Sequence, residues 1–260
     1  MPPHDYLKPT VGSRAWALSR FVLSAAAVSL ALHFALEEPW VGAALLLLLL
    51  AFGLPQFRAR QRLRELLSSG DLRSIMEIWN DAIETLPHHR TVGPLIRATA
   101  LAAHGLTDRA RGVMDRAERG LAWENAIEHR LFLETLLDAF EGRRTQALEK
   151  ARALRSLPLP ASPWAKSRAS VLRGAAGALA RAFAHCPEKD DADRLLAAAK
   201  HHPLVCWAMR YALAVVHIDQ GRRDEALELV AAAPEWPEGS AFNSFQAEIL
   251  ERGGPNPRRR

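Results

Sequence analysis

Two cysteines, Cys186 and Cys206, and two tyrosines are all that this chain of 260 residues holds of either type. So few cysteines exclude a disulfide framework. Both lie in apolar, helix-like surroundings and read as buried free thiols. Runs of β-branched residues are scarce too, whereas alanine, leucine and arginine abound, and that balance favours helix over strand. No GxxxxGK[ST] loop, GxSxG elbow or HExxH pair occurs. The one Gly-x-x-Gly, Gly174–Gly177, sits within an alanine-rich helical run and reads as a site of close helix–helix packing rather than a phosphate cradle. Charge of one sign is also in short supply. The net charge is +5, and the surplus sits beside an apolar N-terminal stretch and in Arg258–Arg260. Elsewhere arginines alternate with Glu and Asp, which leaves no basic face for nucleic acid.

What the chain does have is hydrophobic length near its start. Ala15–Leu36 and Trp40–Leu54 are apolar runs separated by Glu37, Glu38 and Pro39. As a helix the first run would reach about 33 Å, enough for a bilayer core. The second reaches roughly 23 Å, or roughly 27 Å if continued to Phe57, but it holds six leucines in a row and no charge. Lys8, Arg14 and Arg20 lie at the start of the first run, and Arg58, Arg60, Arg62 and Arg64 follow the second. The positive-inside rule then places both ends of a transmembrane hairpin in the cytoplasm and the hinge outside. The shortness of the second run keeps a re-entrant hairpin open. No small-residue cleavage site follows Leu36, which argues against a secretory leader. The expected organisation is a tail over 1–14, a membrane hairpin over 15–57, a helical domain over 58–252 and a basic tail over 253–260. The Ala, Arg and Leu bias resembles that of a GC-rich bacterium, so the inner membrane is the expected location.

Beyond Arg58 the pattern is repetitive. Gly70, Gly105, Gly142 and Gly221 are each followed at +5, +9 and +12 by apolar or small residues: Ile75, Trp79 and Ala82; Ala110, Met114 and Ala117; Ala147, Ala151 and Leu154; Ala226, Val230 and Ala233. The interval from Gly142 to Gly221 leaves room for one more unit over Pro163–Pro203. Helix pairs of this length with a turn glycine in this register resemble the tetratricopeptide repeat. The resemblance covers roughly 58–237, and it weakens in the first helices, where Leu63 and Thr135 occupy positions that the family fills with small residues. It implies an all-α fold: about five tetratricopeptide-like helix pairs in an α-solenoid after the hairpin, with Gly239–Arg252 as a C-terminal capping helix. It also implies a groove lined by first-helix residues, here Leu95, Thr99 and Ala102, then Phe132, Leu136 and Ala139, then Tyr211, Val215 and Ile218. This lining is apolar and aromatic, suited to a peptide or helix of a partner protein, or else it is inter-helix core.

Two side-chain groups bear on chemistry. His185, Cys186, His201, His202 and Cys206 offer nitrogen and sulfur ligands within a short stretch, but without a CxxC or HxxxH pair on one face. Helix-end histidines and buried thiols account for them better than a zinc site. The acidic pairs Glu134/Asp138 and Glu225/Glu228 have arginines nearby and read as solvated helix faces. No catalytic residue, cofactor or metal is therefore expected. The expected function is a membrane-anchored, non-enzymatic scaffold that binds a protein partner through its cytoplasmic repeats. An accessory subunit of a larger membrane complex, its hairpin packed on other transmembrane helices, is the alternative.

Overall fold

The structure, a computed structural model, describes residues 61–253 together with residues 40, 54–55 and 57–59. The chain divides into two units, Met1–Leu63 and Arg64–Arg260. In the first, each described residue is helical. The hairpin expected over 15–57, save for those few residues, and the tails 1–14 and 254–260 lie outside the described residues. Among the described residues no helix is long and apolar enough to cross a membrane.

The second unit is all-α among its described residues. After helical residues 64–68 come α1 (Leu72–Glu84), α2 (His89–Ala103), α3 (Thr107–Met114), α4 (Leu121–Asn125), α5 (Ile127–Phe140) and α6 (Arg144–Ser156). They are followed by α7 (Pro163–Phe183), α8 (Asp191–His201), a 3₁₀ turn at Pro203–Val205, α9 (Cys206–Asp219), α10 (Arg223–Ala231) and α11 (Ala241–Gly253). The packing is repeat-like. The pairs α2–α3, α5–α6, α7–α8 and α9–α10 each pack internally, and the first helices α2, α5, α7 and α9 pack in succession.

The turn inside each pair has one geometry. Gly105, Gly142 and Gly221 have φ of +74°, +73° and +75°, which a residue without a Cβ adopts at least cost. The next N–H then reaches back five residues: Leu106 to the Leu101 carbonyl at 3.0 Å, Arg143 to Asp138 at 2.8 Å and Arg222 to His217 at 2.8 Å. The pair over Pro163–Pro203 makes the same turn without glycine. His185 takes φ of +56°, and Cys186 N–H donates to the Arg181 carbonyl at 3.0 Å. The His185 ring is tied to Asp219 of α9, Nδ1 to carboxylate at 3.0 Å. Five residues after each turn glycine, Ile75, Ala110, Ala147 and Ala226 are wholly buried. The expected register slips in the first pair, where Ala82 is exposed and Ile83 takes the buried place.

The array curls back on itself. α9 reaches α2, the Trp207 indole donates to the Ser68 carbonyl at 2.8 Å, and Arg64 donates to the Lys200 carbonyl. The segment after α10 then crosses the turns of the first pairs. Ser240 Oγ donates to the His104 carbonyl at 2.7 Å and Ala241 N–H to the Gly105 carbonyl at 2.9 Å. Phe242 stacks on Tyr211 at 4.6 Å and meets Trp236 and Phe140 edge-on. Phe245 packs on Phe183 at 5.0 Å. The Tyr211 hydroxyl accepts from the Trp236 indole at 2.8 Å, and burial pushes its pKa up to about 12. Thus α11 inserts its aromatic face among the ends of the first helices.

Three expectations are corrected here. Asp138 is not on a solvated face: its carboxylate is 3% exposed and held by Arg111 of α3 at 2.6 Å, Lys150 of α6 at 2.8 Å and Arg143 at 3.2 Å. Three cationic partners from neighbouring elements make it a clamp, since a buried carboxylate must be paired. Cys186 is exposed, whereas Cys206 is buried. The heavy atoms nearest to the absent Cβ atoms of Gly174 and Gly177 belong to arginine side chains, at 3.5–3.9 Å, rather than to the backbone of a neighbouring helix.

A Cβ at Gly105 would lie 2.6 Å from Ser240 Oγ and 3.1 Å from Phe242, whereas one at Gly142 would meet nothing within 4 Å. Gly142→Ala therefore carries only left-handed backbone strain, about 1 kcal/mol. Gly105→Ala adds the displacement of α11 and should cost about 2–4 kcal/mol. Chemical denaturation of the two variants checks this, and equal losses would mean that α11 is not pinned at Gly105.

Candidate functional site

At the other ends of the first helices an open apolar cavity of about 890 Å³ remains. Trp79 and Ile83 of α1, with Leu86 just beyond it, form one side, Ile96 of α2 and Phe132 of α5 the back, and Leu172 of α7 with Leu204 and Val205 the opposite side. The amphipathic stripe of α1 is wider than its contact with α2 requires, and its surplus apolar residues become a cavity wall.

Polar groups enter at a few points. Arg173 is 4% exposed yet fully engaged. It pairs with Glu128 at 2.9 Å and donates to the carbonyls of Leu157 and Pro158 at 2.6 and 3.1 Å. Thr99 and His129 share a bond of 2.6 Å between Oγ1 and Nε2. Because the Thr99 hydroxyl already donates to the Leu95 carbonyl at 2.8 Å, its oxygen is left to accept. His129 must then carry its proton on Nε2. Burial lowers the His129 pKa, so the neutral ring keeps a lone pair on Nδ1. His202 lines the same cavity, and among the described residues its buried Nε2 has no hydrogen-bond partner. Its pKa is lowered by burial first, and by Arg168 and His201 beside it. The Arg168 guanidinium also lines the cavity and stacks 4.6 Å over Trp164, which is 70% exposed.

The six groove residues expected from sequence do not form one surface. Thr99 and Phe132 stand on the cavity wall. Leu95 and Leu136 are wholly buried behind it, as are Ala102 and Ala139. Tyr211 belongs to the aromatic cluster under α11. Val215 is half-buried and, with Ile218, edges a separate recess of about 70 Å³ against Phe245. The face between these positions is filled by α11. Trp79, the +9 residue after Gly70, also stands on the cavity, and Ile83, Leu86, His129, Leu172 and His202 are cavity residues that the repeat register passed over. The signal for two of them was the apolar breadth of Leu72–Leu86.

The histidine and cysteine cluster also disperses. His185 pairs with Asp219, Cys186 faces solvent, Cys206 is buried with its thiol pKa raised by that burial, and His202 is on the cavity. Among the described residues no three His, Cys, Asp or Glu side chains gather as a metal ion would require. The chain matches no protein-family model, no curated protein and no solved structure.

His104, His129, His202 and His217 all have pKa values lowered, chiefly by burial. Unfolded, each regains an ordinary value near about 6.5. As pH falls through that value the unfolded chain takes up protons before the folded one, so acid favours unfolding. Thermal denaturation should give a level Tm above about pH 7 and a decline below about pH 6.5. His202→Leu should flatten part of that decline. A Tm constant from pH 7.5 to 5.5 would show that burial does not hold these rings neutral.

Proposed function

We propose that the chain is a membrane-anchored, non-enzymatic adaptor. Residues 15–57 tether it to the bilayer as a hairpin, and its tetratricopeptide-like helix pairs hold a protein partner on the cytoplasmic side. The observation that carries the partner reading is the 890 Å³ cavity. Its walls are apolar, it is open to solvent, and it lies where the first helices of the repeats would present a ligand face. A cavity of this size takes an apolar side-chain cluster of a partner helix or strand. Its polar groups are mostly spent on one another, as Arg173 and Glu128 are, which suits recognition more than proton transfer. The anchor rests on the two apolar runs and on the arginines beside them.

The test is site-specific photo-crosslinking of the full chain in native membranes. A photoreactive residue at Leu86 or Leu172 should give a discrete adduct with a second protein, and one at exposed Glu149 of α6 should not. Absence of any adduct at both cavity positions would sink the adaptor reading. Recovery of the protein in the soluble fraction after alkaline extraction would sink the anchor.

A further inference from the structure

The interspersion of arginine with acids breaks down in one place. From Lys150 to Pro187 the chain holds seven lysines and arginines and no Asp or Glu. Lys150, Arg173 and Arg181 are tied to carboxylates of other segments, Glu134 and Asp138, Glu128, and Asp191. Lys166 and Arg168 are exposed and have no carboxylate within ion-pair distance among the described residues. Both stand on a spur of helix. α7 runs through Pro163–Leu172, ten residues, before its first buried side chain, Arg173. By contrast α9 buries its first residue and α2 its third. Ten helical residues extend about 15 Å, and so short a helix does not hold together in water by itself. Here it is braced. Arg173 donates to the carbonyls of Leu157 and Pro158 at 2.6 and 3.1 Å, and Pro158, Pro160 and Pro163 stiffen the link that leads into it.

What the brace holds out in water is Trp164. It is 70% exposed, whereas Trp123, Trp207 and Trp236 are 5%, 6% and 8% exposed. Arg168, one turn on, stacks over its ring at 4.6 Å. The end of α8 lies beside Arg168: both Arg168 and His202 line the apolar cavity, and the Arg168 charge adds to burial in lowering the His202 pKa. Lys200 and His201 at that end are exposed, and Arg64 donates to the Lys200 carbonyl. The carboxylate that lines the same cavity, Glu128, is taken by Arg173. The spur is therefore a positive edge with an indole at its tip. The charges alone would suit any polyanion. An indole, apolar in its body and polar at its N–H, has its preferred place where lipid headgroups meet acyl chains. Stacking on a nucleic-acid base is less suited to it, because Arg168 already covers one face of the ring.

We propose that the spur at the start of α7 docks on an anionic lipid leaflet, with Trp164 seated at the headgroup boundary and Lys166 and Arg168 on the lipid phosphates. The helical domain makes this contact itself, so it stands apart from any anchoring by residues 15–57.

The experiment places an environment-sensitive nitrobenzoxadiazole label on Ala161→Cys in the full chain, with Cys186→Ser to remove the exposed native thiol. Nanodiscs of phosphatidylcholine are compared with discs that also contain phosphatidylglycerol. Brightening and a blue shift are expected in the anionic discs alone. A cation at an anionic leaflet is worth about fivefold in the contact equilibrium, so Lys166→Gln with Arg168→Gln should weaken contact about twentyfold and extinguish the signal. Trp164→Ala should also extinguish it at unchanged Tm, because the ring is exposed. Arg109→Gln, which removes an exposed charge from α3, should leave it intact. The label reports on the spur whether the chain is embedded in a disc or free beside it. A free chain that brightens with anionic discs would thus sink the anchor and uphold the lipid contact. An equal signal in neutral discs, a signal that survives loss of both cations, or brightening with an RNA oligonucleotide in place of anionic lipid would overturn the proposal.

Discussion

Each helix pair of the second unit depends on one backbone constraint, a left-handed residue at the end of its first helix. That residue ends the helix, and its conformation lets two N–H groups of the turn donate to orphan carbonyls of the last turn. Only then does the second helix descend at the angle that buries Ala110, Ala147 or Ala226 completely against its partner. Glycine does this at Gly105, Gly142 and Gly221. His185 does it with a Cβ, at the strain of a left-handed conformation, and its ring is tied to Asp219. The turn is the invariant of this architecture, and the glycine is its cheapest solution.

With the turns fixed, the first helices converge, and their two ends meet different fates. At the turn end α11 enters with Phe242 and Phe245 and completes an aromatic cluster around Tyr211. At the opposite end no such segment arrives, and the apolar surfaces of α1, α2, α5 and α7 stay apart around a cavity. Burial of aromatic area rewards the first arrangement strongly. An open apolar cavity has no comparable return within the chain.

Much of the helical organisation was legible in the sequence because it is local. The spacing after each glycine and the terminal helix both report on contacts a few residues apart. The groove was not legible in the same way. Leu95, Leu136 and Tyr211 occupy register positions that face inward whether or not the interior is filled, and periodicity cannot distinguish a lined groove from a packed one. What filled it, Phe242, is joined to Tyr211 and Phe140 through tertiary contacts that no local pattern encodes. Asp138 failed for a related reason: its i,i+4 surroundings look solvated, and the groups that bury it come from α3 and α6. The pair over Pro163–Pro203 was legible from the interval between Gly142 and Gly221 alone, because His185 stands where the other turns carry glycine.

The hydrogen bonds from Ser240 and Ala241 back to residues 104 and 105, and that of Trp207 to Ser68, join positions more than a hundred residues apart. They give an otherwise nearest-neighbour protein a high contact order at one seam. During synthesis the turns at Gly70 and Gly105 and the rings of Phe140 and Phe183 leave the ribosome long before Pro234, Trp236 and Phe242 exist to cover them. The pairs can form as they emerge, but the seam waits for the last stretch of chain. Until then the nascent array carries an uncovered aromatic rim, the kind of surface that chaperones hold. The final helix is thereby the step that turns a stack of independently formed pairs into one cooperative body.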